Sequence, residues 1–278
     1  MQLQLPDMPK QITKSESKIL DYISMHTEEF LFSPISTISR KLNVSMATIS
    51  RFVRHVGCQD YKELKKLVIE QTASEGPAAK MAATLSEDVG FTLESWILQQ
   101  QKCLQNTLDG LDREAFHRAV CAVISARRVF IHAKSASLSL GQLLFYRLRR
   151  LGVEVILLPS GGSEVLEGLA QVQSGDMVMM FSFSKVSTEG TMILQHQKEI
   201  GYRTVAFCSR SFIPEEEKAD IQLYVCRGEP QEYHSMTAAA AVVDALVVAV
   251  SEQMGVESAR RLSRLHRWKK KYTPDGSF

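Results

Sequence analysis

Two guanidinium groups, Arg51 and Arg54, stand in the second half of residues 36–56, STISRKLNVSMATISRFVRHV. Ile49, Phe52, Val53 and Val56 follow the i, i+3, i+4, i+7 spacing of one buried helix face. On that helix Ala47, Arg51 and Arg54 point away from the apolar side, Ser50 flanks them on one edge, and Thr48 and His55 on the other. Arginine offers a planar fork of donors to guanine edges and to phosphates, and small or hydroxylated neighbours let a helix come close to base edges in a major groove. The chemistry on offer is recognition of duplex DNA. A helical hairpin with a solvated basic face would carry the same pattern.

Two other stretches could hold an anion: Ala133-Lys134-Ser135-Ala136-Ser137 and Ser182-Phe183-Ser184-Lys185-Val186-Ser187-Thr188. Each follows a short strand pattern and precedes a helical one. Helix N-termini present free N–H groups and partial positive charge, and the hydroxyls and one lysine per loop add donors for a phosphate. In an open parallel sheet ligands bind beyond the carboxyl ends of the strands, where strand order reverses. With a strand order 2-1-3-4-5 these two loops flank that point. Serines and threonines also cap helices with no ligand involved.

Acid–base chemistry has few candidates. His132 ends a strand pattern, His196 lies in a helical one, and His234 stands near Glu232. No nucleophile–base pair or metal-ligand spacing accompanies them, and no Walker loop or GxGxxG is present. Catalysis, a cofactor, a metal and a bound nucleotide are therefore not expected.

The elements that must position these groups read as follows. Thr13-Lys14-Ser15-Glu16 fits a capping box, opening a helix with Ile19, Leu20 and Ile23 inward that runs to about His26. Phe30 and Phe32 lead into a break at Ser33-Pro34. Ile35, Ile38 and Leu42 line the next helix. Asn43 tolerates the left-handed backbone of a sharp turn, Val44 is an apolar plug, and Ser45 caps the helix that carries the arginines, making a helix-turn-helix. Gly57 closes it. Residues 61–71 form a further helix with Leu64, Leu67 and Val68 inward and Lys62, Lys65 and Lys66 outward. Residues 73–79, ASEGPAA, read as a linker, and residues 93–108 as a long Gln-rich helix.

From Arg113 short β-rich runs at 128–132, 154–158, 176–181, 203–208 and 221–225 alternate with helices. That alternation implies a parallel sheet covered on both faces. Residues 236–254 form a long Ala/Val-rich helix, buried or at a subunit interface. The basic run at 260–271 reads as an amphipathic helix end, or as a further contact to DNA phosphates.

The chain has 278 residues, enough for two domains with real cores. Its formal charge of +2 says little, but residues 33–66 hold Arg40, Lys41, Arg51, Arg54, Lys62, Lys65 and Lys66 against Asp60 and Glu63, an excess suited to a polyanion. Five cysteines with no CxxC pair argue for reduced thiols and a cytoplasmic protein. The N-terminus lacks the order of a signal peptide, and the longest apolar run, near 238–250, is broken by Asp244 and falls short of the roughly 20 residues needed to span a bilayer.

VSMATISRFVRHVGCQDYKELK (residues 44–65) and FSFSKVSTE (residues 181–189) resemble the DNA-binding segment and phosphosugar loop of the RpiR/MurR family of bacterial transcriptional regulators, whose second part is a sugar isomerase (SIS) domain. The resemblance covers nearly the whole chain. It implies a helix-turn-helix domain at 1–72, a linker and bridging helix at 73–109, and an SIS-like sensing and oligomerisation domain at 110–278 with a five-stranded parallel sheet of flavodoxin-type order. It implies a homodimer or homotetramer that binds a double-stranded operator and responds to a phosphorylated sugar. Ser45, Ala47, Thr48, Ser50, Arg51 and Arg54 would face DNA. Ser182, Ser184 and Ser187, with Ser135 and Ser137, would hold the phosphate. The family usually has glycine where Ala133, Ser135 and Lys185 stand, so the pocket is narrowed. Either Lys134 and Lys185 supply charge in an altered site, or the domain only assembles subunits. A phosphosugar isomerase is the remaining alternative.

Overall fold

The computed structural model describes residues 4–7, 12–71, 76–85 and 91–273. The chain divides into two compact units, Met1–Gln100 with Gly228–Ser235, and Gln101–Arg227 with Met236–Phe278.

The first unit is helical: α1 Lys14–Met25, α2 Thr27–Phe32, α3 Ile35–Leu42, α4 Met46–His55, α5 Tyr61–Gln71 and α6 Pro77–Thr84. Thr13 and Glu16 close the reciprocal capping box that opens α1. Three expectations need correction. Residues 27–32, read as a lead-in to the Ser33-Pro34 break, form α2, because Phe30 and Leu31 on one side of a short turn reach the core. Of the stretch read as a linker, residues 73–75 lie outside the described residues, and residues 77–79 open α6 with proline in its first turn, where its missing N–H costs nothing.

Ile19, Ile23, Phe30, Ile38, Ile49, Phe52, Val53, Leu64 and Val68 meet in one core. Lys65 does not face solvent as its neighbours do. It is fully buried, its ammonium 5.1 Å from the centroid of the Tyr61 ring one turn earlier. Gly228–Ser235, distant in sequence, belongs to this unit. Glu232 is buried and accepts from Lys62 Nζ at 2.7 Å and Gln99 Nε2 at 2.8 Å. The Tyr233 N–H donates to Thr84 Oγ1, and its ring lies against Trp96.

The division between units falls within α7, Leu93–Gly110. The second unit continues with α8 Arg113–Ser125, β1 Val129–His132, α9 Leu138–Leu151, β2 Val155–Leu157, α10 Glu164–Leu169, β3 Met177–Phe181, α11 Thr188–Ile200, β4 Arg203–Cys208, β5 Ile221–Tyr224, α12 Thr237–Met254 and α13 Val256–Tyr272. All strand pairs are parallel and the order is β2-β1-β3-β4-β5. The order reverses between β1 and β3, since β1 is followed by β2 on one side and β3 takes the other.

Alternate strand residues feed two cores. Val129, Ile131, Met177, Met179, Val205 and Phe207 pack with α8, α9 and α12. Phe130, Val178, Met180 and Ala206 pack with α10 and α11. Buried on both faces, the strands read as continuous apolar runs. By length and apolarity α12 could cross a membrane. Its Ala239, Val243, Leu246 and Val250 are instead built into the core, while Ala241, Ala245 and Val248 remain exposed. α13 exposes most of its basic residues and packs Leu262 against the same core.

Candidate functional site

The turn between α3 and α4 is fixed by local chemistry. Asn43 sits at φ 53°, ψ 49°, the left-handed region its short amide tolerates. The Val44 N–H then reaches back to the Ser39 carbonyl at 3.1 Å, and Ser39 Oγ donates to the Val44 carbonyl at 2.6 Å. These bonds satisfy carbonyls that a helix end leaves orphaned. Ser45 caps α4, accepting from the Thr48 N–H at 3.0 Å, and its hydroxyl also meets Thr48 Oγ1 at 2.8 Å.

On α4, Ala47, Arg51 and Arg54 are exposed, and Thr48 and Ser50 half-buried. Among the described residues Arg51 Nε makes only a long 3.4 Å bond to the Ala47 carbonyl one turn back. Arg54 has no ion-pair partner among the described residues. Two guanidinium forks thus lie along one solvated helix face, opposite a core made of Ile49, Phe52 and Val53. His55, at the edge of that face, turns back to α1, its Nδ1 2.7 Å from Glu16 Oε1. Burial pushes the Glu16 carboxyl up, but the Thr13 N–H and His55 outweigh it and hold it low. The basic excess of this region is partly spent. Lys41 pairs with Glu29, Lys62 with Glu232, and Lys65 is inside. Arg40, Arg51, Arg54 and Lys66 remain exposed.

In the second unit the loops after β1 and β3 stand at the carboxyl ends of the strands flanking the reversal. Ser135 begins a single 3-10 turn, Ser135–Ser137, at φ 54°, one of two non-glycine residues in the left-handed region among the described residues. Serine there carries strain that glycine would not. Ala133 leaves no room for a side chain on α9: a Cβ on Gly141 would stand 2.9 Å from Ala133 Cβ. Ser137 Oγ donates to the Lys134 carbonyl at 2.7 Å and accepts from its N–H at 3.2 Å, so this hydroxyl braces its own loop.

Across the switch, Ser187 caps α11, accepting from the Gly190 N–H at 3.1 Å. Ser182 is buried, and Ser184 and Lys185 are exposed. Lys134, considered above as a free charge for an anion, is bonded instead to Glu189 Oε1 at 2.8 Å, because α11 places that carboxylate opposite the first loop. The Lys134 ammonium, the Glu189 backbone and the Ser187 hydroxyl hold the Glu189 carboxyl down to about 2 against the effect of burial. This ion pair joins the two loops.

Two groups near these loops have no counterpart in the reading of the motifs. Arg227, just past β5, is buried and donates to Ser184 Oγ at 3.0 Å and to Ser209 Oγ at 3.3 Å, its guanidinium 4.1 Å from the Phe183 ring centroid. Burial lowers it to about 10, so it still carries its charge at neutral pH. Its place three residues beyond a strand's carboxyl end was the available signal. His132, noted only as a strand end, is 3 % exposed, and burial pushes its imidazole below the ordinary value, toward the neutral form. Of the other titratable candidates, Glu232 is held by Lys62 and Gln99, and His234 lies 3.4 Å from Lys80 Nζ.

Comparison with known proteins bears on both units. A family model described as a helix-turn-helix domain of the rpiR family matches residues 1–75, and a SIS domain model matches residues 122–249. An uncharacterised HTH-type transcriptional regulator of Caldanaerobacter subterraneus is 22% identical over 251 residues, 89% of each chain. Among solved structures, the NanR protein of Vibrio vulnificus complexed with ManNAc-6P matches 96% of each chain with a TM-score of 0.60 at 19% identity. The sugar isomerase domain of an RpiR transcription factor from Sphaerobacter thermophilus matches 63% of this chain and 98% of its own at a TM-score of 0.58 and 23% identity.

Proposed function

We propose that this chain, which belongs to the RpiR family of helix-turn-helix and SIS-domain regulators, is a sequence-specific DNA-binding transcriptional regulator whose α/β unit senses a phosphorylated sugar. The observation that carries the reading is the pairing of a solvated, arginine-bearing α4 with two hydroxyl-lined loops at the switch of a parallel sheet. Ser45 starts the recognition helix. Arg51 and Arg54 reach guanine edges or phosphates, and Ala47, Thr48 and Ser50 allow close approach. Residues 1–72 bind DNA, 73–109 bridge, and 110–278 sense and assemble the homo-oligomer.

In the sensing unit the phosphate lies against Ser182, Ser184 and Ser187, with Ser135 and Ser137 from the facing loop. Arg227 sets a buried positive charge behind Ser184. Lys134 contributes less than its charge suggests, since Glu189 neutralises it. Lys185 sits at the loop surface, where it can follow a bound anion. The binding of ManNAc-6P by NanR supports this ligand class.

We read the chain as a regulator without turnover, and the conversion assay below tests it. Aldose–ketose isomerisation needs a base beside the sugar carbonyl, and the Glu232 and His234 candidates are engaged with Lys62, Gln99 and Lys80 in the helical unit. Five free thiols suit a cytoplasmic location.

The test is a thermal-shift screen with hexose and pentose phosphates, followed by a gel shift on DNA from upstream of the protein's own gene. A true ligand at 100 times its dissociation constant adds about 2.7 kcal/mol of stability. The expected result is a sugar phosphate that raises the melting temperature and changes DNA affinity. Conversion of that sugar to its isomer would favour an enzyme instead. A melting temperature unmoved by every sugar phosphate would favour a unit that only assembles subunits.

A further inference from the structure

Beside the β1 loop and the start of α11 stand two buried polar groups with side-chain atoms that the described residues leave without a hydrogen-bond partner. Glu189 is 8 % exposed and ionised, and one of its oxygens accepts from Lys134. The other, Oε2, is buried with no hydrogen-bond partner among the described residues. His132 is 3 % exposed, and neither Nδ1 nor Nε2 makes a close, well-aligned hydrogen bond among the described residues, the Pro159 backbone being the group on hand to take its N–H. His132 closes β1 two residues after Phe130, on the sheet face that packs with α11, and Glu189 stands in the first turn of α11. The β2 loop comes equally close: a Cβ on Gly161 would stand 3.2 Å from Glu189 Oε1.

A buried carboxylate oxygen without a donor is costly, and so is a buried imidazole with no close, well-aligned hydrogen bond. Such groups persist in native proteins chiefly where function uses them. Together they ask for a molecule that gives a hydrogen to the carboxylate and takes one from a neutral imidazole. A sugar hydroxyl does both, being donor and acceptor at once. A phosphate does not, because its negative charge opposes Glu189, whose own positive partner is already engaged.

We propose that Glu189 and His132 are the specificity-determining pair of the sensing site, binding ring hydroxyls of the sugar while the serine loops bind its phosphate. This inference rests on the sensing function proposed above. It divides that site into a phosphate half, formed by Ser135, Ser137, Ser182, Ser184 and Ser187, and a sugar half, formed by His132 and Glu189. Lys134 is then a positioning residue, fixing one carboxylate oxygen so that the other faces the ring.

The division is tested by calorimetric titration of the full chain with glucose 6-phosphate, glucosamine 6-phosphate, ribose 5-phosphate and inorganic phosphate. The proteins compared are wild type, His132→Phe and Glu189→Gln. Wild type should bind at least one sugar phosphate more tightly than inorganic phosphate. Each variant should lose about tenfold or more in affinity for that sugar phosphate, the cost of a hydrogen bond to a buried charged or polar group. Affinity for inorganic phosphate should stay unchanged. His132→Phe should melt at or above the wild-type temperature, because it removes a buried unpaired group. A merely structural histidine would melt lower on replacement. If Glu189→Gln does not fold, His132→Phe decides alone. Variants that keep the wild-type preference for sugar phosphate over phosphate overturn the pair. A wild type that binds inorganic phosphate and no sugar phosphate more tightly also overturns it, while leaving the anion site standing. A wild type that binds none of the four overturns the sensing function itself.

Discussion

The recognition helix and the switch loops treat their polar side chains in opposite ways. Along α4 the groups that matter are exposed: Arg51 keeps one long bond to its own helix, and Arg54 no ion-pair partner among the described residues. In the switch loops several polar groups are tied down to one another. Ser137 is bonded to Lys134, Lys134 to Glu189, Ser187 to Gly190 and Ser184 to Arg227. Under the proposed function the difference follows from what each region would meet. A duplex is a large, hydrated polyanion, and solvated cations on a rigid helix bind it by releasing its counterions and by reading its edges. A small metabolite leaves water altogether, so its site must be preorganised, with few donors held in place.

The comparison breaks first, and by the largest margin, at the arginines. Arg51→Ala should weaken operator binding by about 1–3 kcal/mol if it makes a bidentate base contact, and relax specificity at one base position. Arg54→Ala at a phosphate would weaken all sequences alike and flatten the salt dependence. Fluorescence anisotropy at two salt concentrations separates these outcomes. In the α/β unit, Gly141→Ala should destabilise by about 1–3 kcal/mol, because the added methyl meets Ala133 with no space to spare. Chemical denaturation measures it. Ser45→Ala removes the α4 cap and should lower the stability of the helical unit by about 1 kcal/mol, read in the same way.

Smaller effects sharpen the contrast. Ser135→Gly relieves a positive φ and should stabilise by about 0.5–1 kcal/mol. A pocket preorganised at the expense of stability predicts that gain, and an unstrained loop predicts none. The smallest effect is in the pH dependence. His132 is held below its ordinary value of 6.5 in the folded state, so the unfolded chain binds a proton there first. The sign follows: stability contributed by the neutral histidine is present above pH 6.5 and is lost as pH falls toward the folded value. Melting curves of wild type and His132→Phe should therefore diverge below pH 6.5, wild type falling faster. Parallel curves would mean that the imidazole is not buried uncharged.

Much of this arrangement was legible in the sequence, and what was hidden shares a physical cause. The α3–α4 turn, the Thr13–Glu16 box and the strand alternation are written in contacts between residues a few positions apart. Periodicity and cap chemistry report such contacts directly. The strand order was likewise expected, and the loops could be located from it. Lys65 looked solvated beside Lys62 and Lys66, since nothing local distinguishes a lysine that tertiary packing covers. Arg227, His132 and Glu189 reach the loops from β5, β1 and α11, and only the folded sheet brings them there. Gly228–Ser235 is the longest-range example: more than a hundred residues separate Glu232 from Lys62 and Gln99. The glycine-poor first loop lies between these cases. A positive φ at Ser135 could be suspected from the motif, while the bond that commits Lys134 to Glu189 could not.

The measurement that bears most directly on the account is selection from a random pool of DNA duplexes by the wild-type chain and by the Arg51→Ala/Arg54→Ala double variant. Both should fold alike, since the two side chains are exposed and outside the core. The wild type should enrich a defined sequence, with half-sites if the protein binds as a dimer, and the double variant should enrich none. Enrichment of the same sequence by both proteins would show that DNA is read elsewhere in the molecule and would contradict the role given to α4.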